Sequence, residues 1–146
     1  MRLALLLAAA LLAACSGEVE DSRPGQPVKT RQQAFHAIIR SFEPMGVMLR
    51  SESYDAERFL ALANELAARR DAPWSHFGPD TDYPPTKATP EVWRQPEKFA
   101  QERQAFIAAV DTLLTAARSK DRQQLDAPYQ AVYDACRNCH KTFKQR

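Results

Sequence analysis

The chain has 146 residues, 45% of them hydrophobic, and a formal net charge of +2 with Lys and Arg dispersed among the acids. That length suits one domain with a core of its own. The balanced charge, without a basic block, excludes the phosphate-tracking face that a nucleic-acid partner requires.

Residues 1–14 read as an export signal: Met1-Arg2, then a Leu/Ala run from Leu3 to Ala14 that is too short to span a bilayer by itself. The run ends Leu12-Ala13-Ala14-Cys15, which resembles the bacterial lipobox, where cleavage precedes a cysteine that is then acylated. Several acyl chains on Cys15 would satisfy the requirement that stable anchoring takes more than one. The competing reading is an ordinary signal peptide cut after an Ala-x-Ala site. Ser16 in place of Asp resembles lipoproteins sorted to the outer membrane, so the expected location is the periplasmic face of that membrane in a Gram-negative bacterium. Residues 15–27, with Pro24, Gly25 and Pro27, have the composition of a flexible tether, and the folded domain is expected over 28–146.

From Val28 to Arg50 the apolar positions Phe35, Ile38, Phe42, Met45 and Leu49 follow steps of three and four, the rule of an amphipathic helix. One step further back on that seam stands Arg31, which suits a partner with an acidic rim or else a solvated helix start. Pro44 removes one ladder bond and is expected to kink or split the helix. His36 falls on the charged face, while Met45 and Met48 read as core filler. A second amphipathic helix covers Tyr54 to Arg70, with Phe59, Leu60, Ala63 and Leu66 on one face. Residues 71–90 form a proline-rich connection whose aromatics, Trp74, Phe77 and Tyr83, favour packing on the bundle over disorder; His76 there is expected to face solvent.

Thr89-Pro90 offers an N-cap and first helical position, with Gln95-Pro96 a second start, for a helix of roughly 24 residues and about 36 Å that ends near Ser119. Phe106, Ile107, Val110, Leu113, Leu114 and Ala117 are its buried stripe. The last helix starts near Asp121 or Asp126, bends at Pro128, and carries the seam Leu125, Tyr129, Val132, Cys136, Cys139 or His140, and Phe143.

The chemistry lies on that last seam. Cys136-Arg137-Asn138-Cys139-His140 sets two thiols at i and i+3 and an imidazole at i+4, all on one helical face. Thiols at that spacing can form thioethers to the two vinyl groups of a haem while the imidazole reaches its iron, the signature of haem c. A structural zinc site needs further ligands, and His36 and His76 have no paired spacing. A redox Cys-x-x-Cys normally opens a helix after a strand, and a disulfide across three mid-helix residues is geometrically awkward. Because the motif continues a core stripe, the haem is expected inside the bundle. With Cys15 acylated and the other two cysteines on haem, no thiol remains for a disulfide. Four amphipathic helices without strand patterns predict an all-α, antiparallel four-helix bundle with one long second connection.

These residues together resemble the cytochrome c′ family, class II c-type cytochromes with the haem motif near the C-terminus. The likeness covers about Val28 to Lys144 and rests on Arg31-Gln32, Tyr54-Asp55-Ala56, Pro73-Trp74 with Phe77-Gly78-Pro79, Pro90-Glu91-Val92-Trp93, and Cys136 to His140. The resemblance implies one covalent haem c with five-coordinate iron, His140 as its only protein ligand and Phe35 shielding the other face. It also implies that Arg31 and Gln32 contact the haem propionates, and that the protein can pair as a homodimer through its first two helices. Lys144 stands where the family often has arginine, and Pro44 and the lipobox are unusual for it.

Phenylalanine cannot bind iron, whereas a methionine stands at this position in the low-spin, electron-carrying relatives. The leading expectation is therefore a haem protein that binds nitric oxide, and carbon monoxide, for sequestration or tolerance. The alternative is a one-electron carrier whose redox partner the sequence does not name. Enzymatic activity is not expected, since Phe35 supplies no acid or base for peroxide cleavage.

Overall fold

The computed structural model describes residues 19–146. Its helices are α1 (Pro27–Arg50), α2 (Ala56–Arg69), the single turn α3 (Glu91–Arg94), α4 (Pro96–Ala117) and α5 (Asp126–Phe143). α1 packs on α2, α2 on α4 and α4 on α5, giving the expected antiparallel four-helix bundle. Each long helix turns a three-four stripe inward: Ile38, Phe42, Met45 and Leu49; Phe59, Ala63 and Leu66; Phe106, Val110, Leu113 and Ala117; Val132, Ala135 and Phe143 are all buried. A fully buried Phe59 or Leu66 contributes about 1.5–3 kcal/mol by leaving water. Met45 and Met48 are core residues as expected, and His36 is exposed. Ile107 and Leu114 only flank the core.

The bundle closes between α5 and α1. Phe42 stacks on Tyr129, with ring centroids 4.4 Å apart and planes 7° from parallel. Gly46 makes that approach possible, because a β-carbon there would fall 2.7 Å from Tyr129 Cζ. At one end of the pair Arg122 Nη2 donates to Leu49 O at 2.6 Å. At the other, the connection before α3 meets the C-terminus of α5 through Thr89 N to Phe143 O at 3.0 Å and Gln145 N to Lys87 O at 2.8 Å.

Four local expectations change. Pro44 lies inside α1 without splitting it; one missing ladder bond is outweighed by the buried Phe42, Met45, Met48 and Leu49 around it. The expected third helix is interrupted at Gln95 (φ −125°, ψ 58°), so Glu91–Arg94 is separate from α4. Thr89 does not cap: its hydroxyl donates to Thr142 O at 2.8 Å. α5 keeps to expectation by starting at Asp126, the second of the two starts offered, while Asp121 accepts from Gln123 N at 2.9 Å and starts a short 3₁₀ turn.

The fourth change concerns the tether, whose last residues are docked. Asp21 is 1% exposed. Its carboxylate accepts from Lys29 N at 3.0 Å, Arg23 N at 3.3 Å and Tyr83 Oη at 2.8 Å. The helix start explains this arrangement. Gln26, at the N-cap, is in the left-handed region at φ 43° and makes no side-chain cap, so a free first-turn amide of α1 takes an acceptor from further back in the chain. Burial acts to raise the Asp21 pKa, but the bonds from Lys29, Tyr83 and Arg23 outweigh it and hold the group below its ordinary 3.8. Arg23 completes the strap by lying 3.9 Å above the Tyr83 ring. Cys15 and the rest of the expected signal and lipobox lie outside the described residues.

Candidate functional site

Cys136, Cys139 and His140 occupy the last two turns of α5, on one face as their spacing requires. Both cysteines are free thiols and partly buried. Burial pushes Cys136 up to about 11, and burial with the nearby Glu102 carboxylate and Cys136 pushes Cys139 up to about 12, so both are neutral thiols at pH 7. His140 is reached by solvent, yet the protein atoms around its ring and the charge of Lys144 lower its pKa and favour neutral imidazole. A neutral imidazole is the form that ligates metal.

The Phe42–Tyr129 stack fixes the register of the opposite wall. Moving seven residues toward the start of α1 and seven toward the end of α5, about 10.5 Å on each, brings Phe35 level with Cys136. Continuing the same antiparallel count pairs Gln32 with Cys139 and Arg31 with His140. Phe35 is partly buried and meets Trp74 edge-on at 5.4 Å and Phe77 at 6.3 Å. Trp74 in turn contacts Phe99 at 6.1 Å and Phe106 at 6.0 Å, and Phe99 meets Phe143 at 5.2 Å. An aromatic wall from α1, the connection and α4 therefore stands at the end of the bundle where α5 carries its motif.

Arg31 and Gln32 are level with the motif, and both are bonded to the connection. Arg31 is 3% exposed. Its Nη1 donates to His76 O at 3.0 Å and Thr81 Oγ1 at 2.9 Å, and its Nη2 to Thr81 O at 2.9 Å and Thr86 Oγ1 at 2.6 Å. The guanidinium also lies 4.5 Å over the Phe77 ring. Gln32 Nε2 donates to Pro85 O at 3.0 Å. Both side chains thus hold the connection that carries Trp74 and Phe77, and both terminal nitrogens of Arg31 are committed to it. His76, expected in solvent, is partly buried beneath this clasp. A cleft of about 830 Å³ opens beside it, lined by Asp21, Lys29, Tyr83, Pro85 and Gln145; Gln32 alone of the expected site residues reaches it.

Two neutral thiols, one imidazole on the same face and apolar rings opposite fit a porphyrin held by thioethers with one protein ligand. Among the described residues no group of three or more His, Cys, Asp or Glu side chains is arranged to hold a bare metal ion, so the zinc alternative finds no ligand set. Fold and site together define a helical-bundle protein of the c-type haem class, with its attachment motif at the C-terminal end of the last helix. The chain belongs to the cytochrome c′ family, whose model, described as Cytochrome C', matches residues 26–144. Members of that family carry covalently bound c-type haem, and Cys136-x-x-Cys139-His140 is the attachment motif here. Cytochrome c' of Rubrivivax gelatinosus is 33% identical over 129 residues, spanning 85% of this chain and 98% of its own. The nitric oxide complex of a variant of cytochrome c prime from Alcaligenes xylosoxidans superposes with a TM-score of 0.80 at 30% identity, covering 87% of this chain and 100% of that one. A carbon monoxide-bound variant of the same protein matches equally, with a TM-score of 0.80, 30% identity and the same coverage of both chains.

Proposed function

We propose that this protein binds nitric oxide, and carbon monoxide, at a haem c whose far side is walled by Phe35, and that it serves nitric oxide sequestration or tolerance rather than catalysis. The observation that carries the reading is the Phe42–Tyr129 stack, whose antiparallel register sets Phe35 level with Cys136 on the facing helix: an aromatic ring with no atom able to ligate a metal. When bound, the haem supplies an iron centre able to take a diatomic ligand or an electron. Cys136 and Cys139 would hold the ring covalently, and His140 would hold the iron through neutral imidazole. Phe35, wedged against Trp74 and Phe77, excludes water and has to move for a ligand to enter, which spends part of the ligand's binding energy. Solved complexes of variants of the Alcaligenes relative with nitric oxide and carbon monoxide support gas binding.

The same reading places the protein in the periplasm, held to the outer membrane through an acylated Cys15. No helix among the described residues is long and apolar enough to cross a membrane. Incorporation of labelled palmitate by wild type and its loss in Cys15→Ser tests the anchor.

A carbon monoxide titration of the ferrous, haem-loaded protein tests the gas site. Displacing a packed ring costs on the order of 1–3 kcal/mol, equivalent to a roughly 5- to 150-fold weaker affinity, so Phe35→Ala should bind more tightly by a factor in that range. The same variant should lose about 3 kcal/mol of fold stability to the cavity it leaves. Unchanged affinity with intact haem would make Phe35 ordinary core.

A further inference from the structure

Arg103 stands where the α4 pattern calls for an apolar residue. Phe99, Arg103, Phe106, Val110, Leu113 and Ala117 run at steps of four and three, and the last four are buried. The Nε of Arg103 is buried with no hydrogen-bond partner. Among the described residues, the other arginines that are not exposed, Arg31, Arg69, Arg70 and Arg122, are each hydrogen-bonded. A buried donor left unmatched is costly, and native structures seldom keep one without a reason.

Register tells where this donor lies. Phe99 meets Phe143 at 5.2 Å, and Lys98 Nζ approaches Thr142 Oγ1 at 3.5 Å. Four residues onward along α4 and four backward along antiparallel α5 bring Arg103 level with Cys139. Glu102, whose carboxylate lies near Cys139, is the neighbouring residue on α4 and does not satisfy the Arg103 Nε, which has no hydrogen-bond partner. Arg31, the cation expected at the haem carboxylates, has both its terminal nitrogens bonded to the connection, which leaves room for a second cation at the haem.

We propose that Arg103 is a cofactor-facing residue whose guanidinium pairs with a carboxylate of the haem. The carboxylates are the anionic groups at a haem's edge, and guanidinium matches them in charge and geometry. The proposal rests on the haem assignment and is independent of whether the site takes a gas.

The test uses the full, haem-loaded chain as wild type, Arg103→Gln and Arg103→Lys. The midpoint potential is measured by spectroelectrochemical titration at pH 7, and the propionate bending band by resonance Raman spectroscopy. Loss of a fixed positive charge beside the haem disfavours the reduced state. Arg103→Gln should therefore shift the midpoint to more negative values and weaken the hydrogen-bond signature of the propionate band, with the α and Soret bands unchanged. Arg103→Lys should restore the midpoint. A purely structural role would lower the unfolding temperature and leave both readouts in place; that result, or a shifted midpoint with an unmoved propionate band, overturns the pairing.

Discussion

Gly46→Ala sets two effects of opposite sign against each other inside α1. In a helix interior alanine is better than glycine by about 1 kcal/mol, so helix propensity alone predicts a more stable protein. The added methyl, however, would lie 2.7 Å from Tyr129 Cζ and closer still to its hydroxyl. Tyr129 cannot swing away freely, since its ring is stacked 4.4 Å from Phe42 across the α1–α5 seam. Forcing it out incurs an overpacking cost of about 1–3 kcal/mol and forfeits about 0.5–1.5 kcal/mol of ring stacking. The balance is a loss of about 2 kcal/mol, or roughly 6–8 °C in melting temperature for a domain of this size. Thermal unfolding of the haem-loaded protein followed by far-ultraviolet circular dichroism measures it. A second arm isolates the cause: in a Tyr129→Ala background the same substitution should become stabilising by up to about 1 kcal/mol. If Gly46→Ala melts at or above wild type, the steric argument is wrong and the α1–α5 contact is looser than its geometry.

Arg31→Gln should free the connection that Arg31 clasps, costing about 2–4 kcal/mol because hydrogen bonds from a charged donor are lost and their acceptors left unmatched; hydrogen exchange over residues 77–87 should accelerate, and unchanged protection there would refute the clasp. Asp21 gives a pH dependence of defined sign. Its pKa is held below the ordinary 3.8, so its contribution is full above that value and is lost as pH falls through the lowered pKa. The protection factor at Lys29, which removes the intrinsic pH dependence of exchange, should therefore hold from neutral pH to the ordinary carboxylate range and fall as pH drops through the lowered pKa, with Tyr83→Phe moving the onset to higher pH. An onset unmoved in that variant would mean that the phenol does not stabilise the carboxylate.

Much of the bundle was legible because it is periodic. Phe42, Phe59, Val110 and Val132 repeat at three and four, and a period survives without knowledge of what it packs against. The haem motif was legible for the same reason, its ligands lying within a single helical turn. What escaped depends on pairs distant in sequence. Asp21 reads as a tether residue until Tyr83, 62 positions away, is seen to hold it. Arg31 was rightly singled out as a charge ending an apolar stripe, but its acceptors are mostly backbone and hydroxyl oxygens of a connection, which leave no pattern in a sequence. Arg103 could have been found by asking which α4 seam position is not apolar. Pro44 does not split α1, because a proline's local penalty has to be weighed with the packing around it.

The placement of Trp74 and Trp93 also decides what light can report. Trp74 sits among Phe35, Phe99 and Phe106, and Trp93 lies 6.5 Å from Phe77 with its indole nitrogen donating to Gly78 O at 3.0 Å. Both of the chain's indoles therefore belong to the end that carries the motif, and the Tyr54–Phe59 end has none. Tryptophan emission is a local gauge of one pole of the molecule, while circular dichroism averages over all its helices. If the two probes trace different melting curves, the poles come apart separately, and the emission curve is the one that follows the loss of the wall around Phe35.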